Sequence, residues 1–332
     1  MIRRISRFLA SGILLLLAAT VVATAGGSTE QTSGSEQSRT GSPGKVALLS
    51  VMVSILPQQY LVQQIGGDEV RVGVMVPPGH EPHTYEPTPR QVSEISHAAV
   101  YFRIGMPFEV AILSKIEANL PDLTVVDTRI GVTLRSIDGK DRLTVTANSS
   151  VADGYDPHIW LGPSELAIQM KNIRDALIAK EPDRRAYFDS NYARLLGRLH
   201  TVEASLAKTL GPLRGSSILV FHPAFGYFTD TYGISQLAIE TNGKEPGPRG
   251  IQDIIGRARD LHVRAVFVEP DFSETTASRI AEALGVQMLV INPLAPDVLS
   301  NLEQMATTIR KGVSAIPGSG ALSACRLSGR LL

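Results

Sequence analysis

The stretch Arg71-Val72-Gly73-Val74-Met75-Val76, followed closely by Gly79-His80-Glu81-Pro82-His83-Thr84-Tyr85-Glu86-Pro87-Thr88-Pro89, decides how this chain is read. Its first part is an apolar run with the pattern of a buried strand. Its second part places histidine just past the C-terminal end of that strand, ahead of a helix predicted from about Arg90 to His97. In open α/β sheets that is where ligands bind. Pro82, Pro87 and Pro89 restrict the backbone and stiffen the loop, a good start for a metal site. Two further histidines recur in comparable settings, His158 in Asp156-Pro157-His158-Ile159-Trp160 and His222 in Val220-Phe221-His222-Pro223. Together they predict a three-histidine metal site, His83, His158 and His222, assembled from distant parts of the chain.

Working outward, strands and helices alternate. Strands are predicted at Val46–Ser54, Ala98–Ile104 and Leu123–Asp127, and helices at Gln58–Ile65 and from Pro107 to about Leu120. This alternation predicts a mostly parallel sheet covered by helices. Residues 131–154 lack periodicity and read as a long irregular loop with room for a short hairpin. Ser164 is placed to cap a helix running to about Ala179. Glu181-Pro182-Asp183 then restarts a longer one, whose Tyr192, Leu195, Leu196, Leu199, Val202, Leu206 and Leu210 form one helical stripe. At ~1.5 Å per residue it spans roughly 42 Å, enough to act as a spine between two lobes. The alternation then repeats, with strands at Ser217–Phe221, Ser235–Glu240, Arg264–Val268 and Gln287–Ile291. Helices fall at Ala224–Tyr232 and Pro248–Leu261, from Ser273 to Leu284, and from Pro296. Each half therefore supplies strand ends to a shared cleft.

The ends and the composition narrow the class. The chain has 332 residues, 43% of them hydrophobic, enough for two modest domains with real cores. Lys+Arg and Asp+Glu are both 32, so no basic excess points to nucleic acid. The single cysteine, Cys325, excludes a disulfide framework and a cysteine-based zinc site. Arg3, Arg4 and Arg7, the apolar run Ile13–Val22 and Ala23-Thr24-Ala25 read as an export signal over residues 1–25, with an uncleaved anchor as the alternative. No cysteine follows that run to take a lipid, so the expected location is periplasmic. Residues 26–45 read as a flexible linker and 314–332 as a tail that does not fold. Between them lie an N-terminal lobe at 46–163, linking helices at 164–212 and a C-terminal lobe at 213–313.

Zinc favours imidazole nitrogen and accepts a carboxylate or water as a further ligand, whereas calcium and magnesium prefer oxygen. The other histidines rank lower. His80 sits in the loop, His97 and His262 lie at helix ends where a cation suits the dipole, and His200 lies inside the long helix. Glu86 and Asp156 flank two of the candidate ligands and could fix a ring tautomer; Trp160 and Phe225 could wall the site. Zinc needs neutral imidazoles, so affinity is expected to fall as pH drops through roughly 6.5 towards 5.

The motifs Pro82-His83-Thr84-Tyr85-Glu86-Pro87-Thr88-Pro89 and Phe102-Arg103-Ile104-Gly105-Met106-Pro107-Phe108-Glu109 resemble the zinc and manganese solute-binding proteins of ABC transporters, of the cluster A-I, zinc-uptake type. Asp156–Leu161 and Phe221–Phe228 are similar to that family's second and third ligand segments. Gly243–Pro246, Val268–Ser273 and Ile291–Ala295 follow in the family's order, so the resemblance covers about Val46 to Gly312. It implies two α/β lobes with mostly parallel sheets, joined by a long backbone helix, with metal in the interlobe cleft. It implies metal ligands at His83, His158 and His222, a monomer, and a membrane permease of an ABC metal transporter as partner. One position departs from the pattern: Asn292 stands where the family usually has aspartate. Asn292 through its amide oxygen, a water, or Glu269 then completes the coordination. Loss of that carboxylate moves the site from manganese towards zinc.

The expected function is capture of zinc and its delivery to a permease, without catalysis. A manganese-binding homologue and a zinc-dependent hydrolase are the alternatives, as is an adhesin or a carrier of a chelated ligand. Three histidines plus water also describe catalytic zinc, but no His-Glu-x-x-His helix occurs. The long histidine-rich loop common in zinc-specific relatives is absent as well.

Overall fold

The structure is a computed structural model that describes residues 48–147, 155–241, 243–270, 272 and 274–315. The signal, the linker and all but the first two residues of the tail lie outside the described residues. Among those described, no helix is long and apolar enough to cross a membrane.

The first lobe begins with β1 (Leu49–Val53), α1 (Leu56–Gly66), β2 (Val70–Val74) and α2 (Pro89–Ile95). It continues with β3 (Val100–Arg103), α3 (Pro107–Asn119) and β4 (Thr124–Asp127). Its strands pair in parallel in the order β2-β1-β3-β4. Proline at the start of α1 and a reciprocal Thr88–Gln91 capping box at α2 set where those helices begin. The hairpin allowed for in the following loop is present, as β5 (Thr133–Arg135) antiparallel to β6 (Arg142–Thr144).

The helix expected to be capped by Ser164 is α4 (Pro163–Lys180), with Gly162 in the N-cap position and Ser164 inside the first turn. Proline at the first helical position outweighs the serine signal, because its fixed φ already suits a helix start. A 3-10 turn at Pro182–Arg184 leads into α5 (Arg185–Leu210), whose 26 residues extend about 39 Å. Its buried stripe is Phe188, Asn191, Leu195, Leu199, Val202, Leu206 and Leu210. Asn191 uses its side chain to satisfy the Ile65 carbonyl at the end of α1, 2.9 Å away. Against α5 pack α1, α4 and the final helix α9 (Val298–Val313), so one spine touches elements from both ends of the fold.

The second lobe holds β7 (Ser217–Val220), α6 (Gly226–Tyr232), β8 (Ser235–Ala238) and α7 (Pro248–Asp260). β9 (Ala265–Val268), α8 (Glu274–Leu284) and β10 (Gln287–Val290) follow. The strand order β10-β9-β7-β8 is again wholly parallel. Thus each lobe places its first strand between its second and third, which creates a switch point at the C-terminal strand ends. α9 starts two residues later than Pro296 suggests, where Asp297 accepts the Ser300 amide as the true cap. The cap proposed at Ser273 lies outside the described residues.

Candidate metal site

The second lobe's strands deliver one polar group each at their C-terminal ends. His222 lies two residues past β7, Glu240 two past β8, Glu269 one past β9 and Asn292 two past β10. From the first lobe comes His83, in the loop between β2 and α2. That loop is braced by Gln91, whose amide donates to the Met75 carbonyl at 2.6 Å and accepts from Tyr85 Oη at 2.8 Å. The Tyr85 ring meets Phe108 edge-on, and Glu81 accepts from the Thr84 amide at 2.9 Å. His158 sits before a short 3-10 turn, Ile159–Leu161, that leads into α4.

These elements bring the three predicted histidines together. Nε2 of His158 lies 3.1 Å from Nε2 of His83 and 3.2 Å from Nε2 of His222. Two nitrogens bound to one tetrahedral zinc at 2.0–2.1 Å would stand about 3.3 Å apart. The far nitrogens are committed elsewhere. His158 Nδ1 donates to Asp156 Oδ1 at 2.7 Å and His222 Nδ1 to Glu240 Oε2 at 2.9 Å. With protons held at Nδ1, Nε2 of both rings presents a lone pair, and two lone pairs at 3.2 Å repel unless a cation lies between them. The residues present therefore fit a soft-to-borderline divalent cation.

Aromatic rings wall the cluster. Trp160 meets the His158 ring edge-on at 5.2 Å, and Phe272 stacks on His222 at 5.4 Å. A cavity of about 20 Å³ lies among the histidines, room for an ion with about one water. It adjoins a wider recess of about 430 Å³ whose lining includes Glu81, Glu240 and Glu245. Burial, reinforced by the two neighbouring imidazoles, pushes the His83 pKa down to about 2. Burial also lowers that of His158, against the pull of Asp156.

Two acids stand near the imidazoles. Glu81 Oε1 is 4.0 Å from His83 Nε2. Glu269 is 2% exposed; its Oε2 accepts the His222 amide at 3.4 Å, while its Oε1 has no hydrogen-bond partner. Burial, with a smaller push from Glu240, raises its pKa to about 8. Asn292 is differently employed. Its Oδ1 accepts the Leu294 amide at 2.8 Å, as a turn residue does, and it lines a neighbouring cavity with Pro77, His80 and Pro270. His80, His97, His200 and His262 are exposed.

Sequence reasoning missed Glu240 and Phe272. Asp156 orients a histidine as suggested, but Glu86 is exposed and Glu240 takes the corresponding place at His222. Phe225 is fully buried and Phe272 forms the wall. The signal available for Glu240 was its place at the C-terminal end of a predicted strand, where His222 and Asn292 also fall.

The model of the zinc-uptake complex component A, periplasmic (ZnuA), matches residues 51–312. The chain belongs to this family. A putative metal-binding protein of Chlamydia muridarum is 30% identical over 261 residues, covering 77% of this chain and 89% of the relative. The manganese-binding lipoprotein MntA of Halalkalibacterium halodurans is 27% identical over 259 residues, covering 77% and 81%. Among solved structures, a crystal structure of ZnuA superposes with a TM-score of 0.73 at 34% identity, over 81% of this chain and 100% of that one. Family membership agrees with the two parallel-sheet lobes and the long helix between them.

Proposed function

We propose that this protein captures zinc outside the inner membrane and hands it to an ABC-type metal permease, without catalysing a reaction. As a member of its family it is a metal-binding component of ABC metal uptake. The choice of zinc is the finer step. The observation that supports it is the convergence of three imidazole nitrogens, with Nδ1 of His158 and of His222 each tied to a buried carboxylate. Nitrogen donors suit zinc better than manganese, and Asn292, past the end of β10, offers an amide rather than a carboxylate.

On this reading His83, His158 and His222 are the ligands. Asn292, a water or Glu269 fills the fourth position. The buried, unpartnered Oε1 of Glu269 favours Glu269 over Asn292, whose oxygen already accepts a backbone amide. The functional unit is residues 46–313, an N-terminal lobe (46–163) and a C-terminal lobe (213–313) joined by the helices of 164–212, exported by the leading 25 residues and acting as a monomer. Manganese is the second reading, favoured by the likeness to a manganese-binding lipoprotein. The test is metal analysis of protein purified without added metal, followed by competition. Bound zinc that excess manganese fails to displace supports the proposal; equal competition by manganese overturns the zinc assignment.

A further inference from the structure

Arg135 closes β5 and is 4% exposed. Its Nη1 donates to Asp156 Oδ2 at 2.8 Å, and its Nε donates to Asp230 Oδ2 at 3.0 Å. The other oxygen of Asp156 is the one that accepts both the amide and Nδ1 of His158, at 3.0 and 2.7 Å. Asp230 belongs to α6, in the second lobe. From the same helix, Tyr227 Oη accepts the Arg135 amide at 3.1 Å and donates to the Asp156 carbonyl at 2.8 Å. Gly226, at the start of α6, makes this approach possible: a Cβ there would collide with the Arg135 guanidinium and the Asp156 carboxylate.

One unbroken chain of charged contacts therefore runs from a candidate ligand of the first lobe to a helix of the second: His158, Asp156, Arg135, Asp230. Asp156 is fully buried, and a buried carboxylate holds its orientation only while both oxygens are satisfied. If Arg135 leaves, Oδ2 loses its partner and the carboxylate is free to turn away from His158. The guanidinium fork is fixed in turn by Asp230, and Tyr227 holds the Arg135 backbone, so the place of Arg135 depends on α6 staying docked. An ion pair that merely joined the lobes would have no oxygen shared with the group that sets a ligand's tautomer.

We propose that Arg135 is a positioning residue for the metal site, acting through Asp156 on His158, and that Asp230 of the opposite lobe holds it in place. The geometry of the site is thereby conditional on contact between the lobes. This rests on the zinc-binding reading above.

The test compares Asp230→Asn, Arg135→Met, Arg135→Lys and Gly226→Ala with Arg142→Met. Arg142 pairs with the Asp230 carboxylate from an exposed position, at 2.8 Å, and does not touch Asp156. Zinc affinity is measured by competition with a chromophoric chelator, and the Co²⁺-loaded proteins are compared by visible absorption. Second-layer partners of a ligand histidine typically account for 10–100-fold in metal affinity. Asp230→Asn and Arg135→Met should lose about 10–100-fold and weaken the tetrahedral Co²⁺ bands. Arg135→Lys should recover only part of this, because a compact ammonium lacks the spaced, rigid donors that Nε and Nη1 present to the two carboxylates. Gly226→Ala should behave like Arg135→Met, and Arg142→Met like the parent protein. In the metal-free proteins, histidine ¹⁵N spectra should show the His158 tautomer fixed in the parent and averaged in Asp230→Asn. That readout works whether or not zinc is the cargo: a parent protein that fails to bind zinc overturns the function, and the tautomer still judges Arg135. Parent-like affinity and tautomer in Asp230→Asn and Arg135→Met, or an equal loss in Arg142→Met, would overturn the proposal.

Discussion

The indole N–H of Trp160 donates to the carbonyl of Pro293 at 2.7 Å, joining the segment of His158 to the segment that follows β10. Both groups are buried, and the same indole forms the wall beside His158. The contact ties the two halves of the fold at the floor of the site. Trp160→Phe keeps an aromatic wall but leaves the Pro293 carbonyl without its donor. A buried polar group left unpaired costs about 1–3 kcal/mol. The urea midpoint of the metal-free protein should fall accordingly, and an unchanged midpoint would mean that water replaces the indole freely.

Glu240 holds Nδ1 of His222 and lies outside every motif that the sequence offers. Glu240→Ala should weaken zinc binding by about 10–100-fold, the range seen for partners of ligand histidines. Glu240→Gln, which retains an acceptor but not the charge, should fall between. Chelator competition on the two variants checks the ordering. Equal affinities for parent, Gln and Ala would remove Glu240 from the site.

Asn292→Asp restores a carboxylate at the end of β10 without disturbing the turn, since an aspartate oxygen can still accept the Leu294 amide. One added charge near a divalent cation is worth about 2–8 kcal/mol at 4 Å. Oxygen donors favour manganese. Manganese should therefore gain on zinc by about tenfold or more, the equivalent of about 1.4 kcal/mol. Parallel titrations with the two ions check this, and a gain for zinc alone would contradict it.

Glu269 and His83 pull stability in opposite directions with pH. For Glu269 the folded pKa is raised to about 8 from 4.5, so the unfolded chain sheds this proton first. The metal-free fold therefore loses stability from this group as pH rises from 4.5 to 8. For His83 the folded value is lowered to about 2 from 6.5, so its contribution is fully present above 6.5 and is lost as pH falls towards 2. Glu269→Gln should raise the melting temperature of metal-free protein at pH 8, with the gain fading towards pH 4.5. A gain that is independent of pH would show that the carboxyl is not raised.

Most of the architecture was legible because the inner strands of both sheets are largely buried and appear as apolar runs, such as Ala265–Val268. The three convergent histidines were legible because each sits beside proline, where the backbone is stiff. What the sequence concealed was mostly distance. Nothing adjacent to Glu240 or Arg135 in the chain ties them to a metal; they reach the site because four parallel strands end on one side and α6 lies against a hairpin. Helix starts slipped by one or two residues where two cap signals compete, as between Gly162-Pro163 and Ser164, or between Pro296 and Asp297.

The central claim is that His83, His158 and His222 hold the metal as a unit. It is tested most directly by zinc titration of His158→Ala against His97→Ala, with a chromophoric chelator as competitor. His158 is buried between the other two imidazoles, whereas His97 is exposed at the end of α2. Three convergent imidazoles predict that His158→Ala loses zinc to the chelator while His97→Ala retains it like the parent protein. Parent-like zinc affinity in His158→Ala would contradict the three-histidine site.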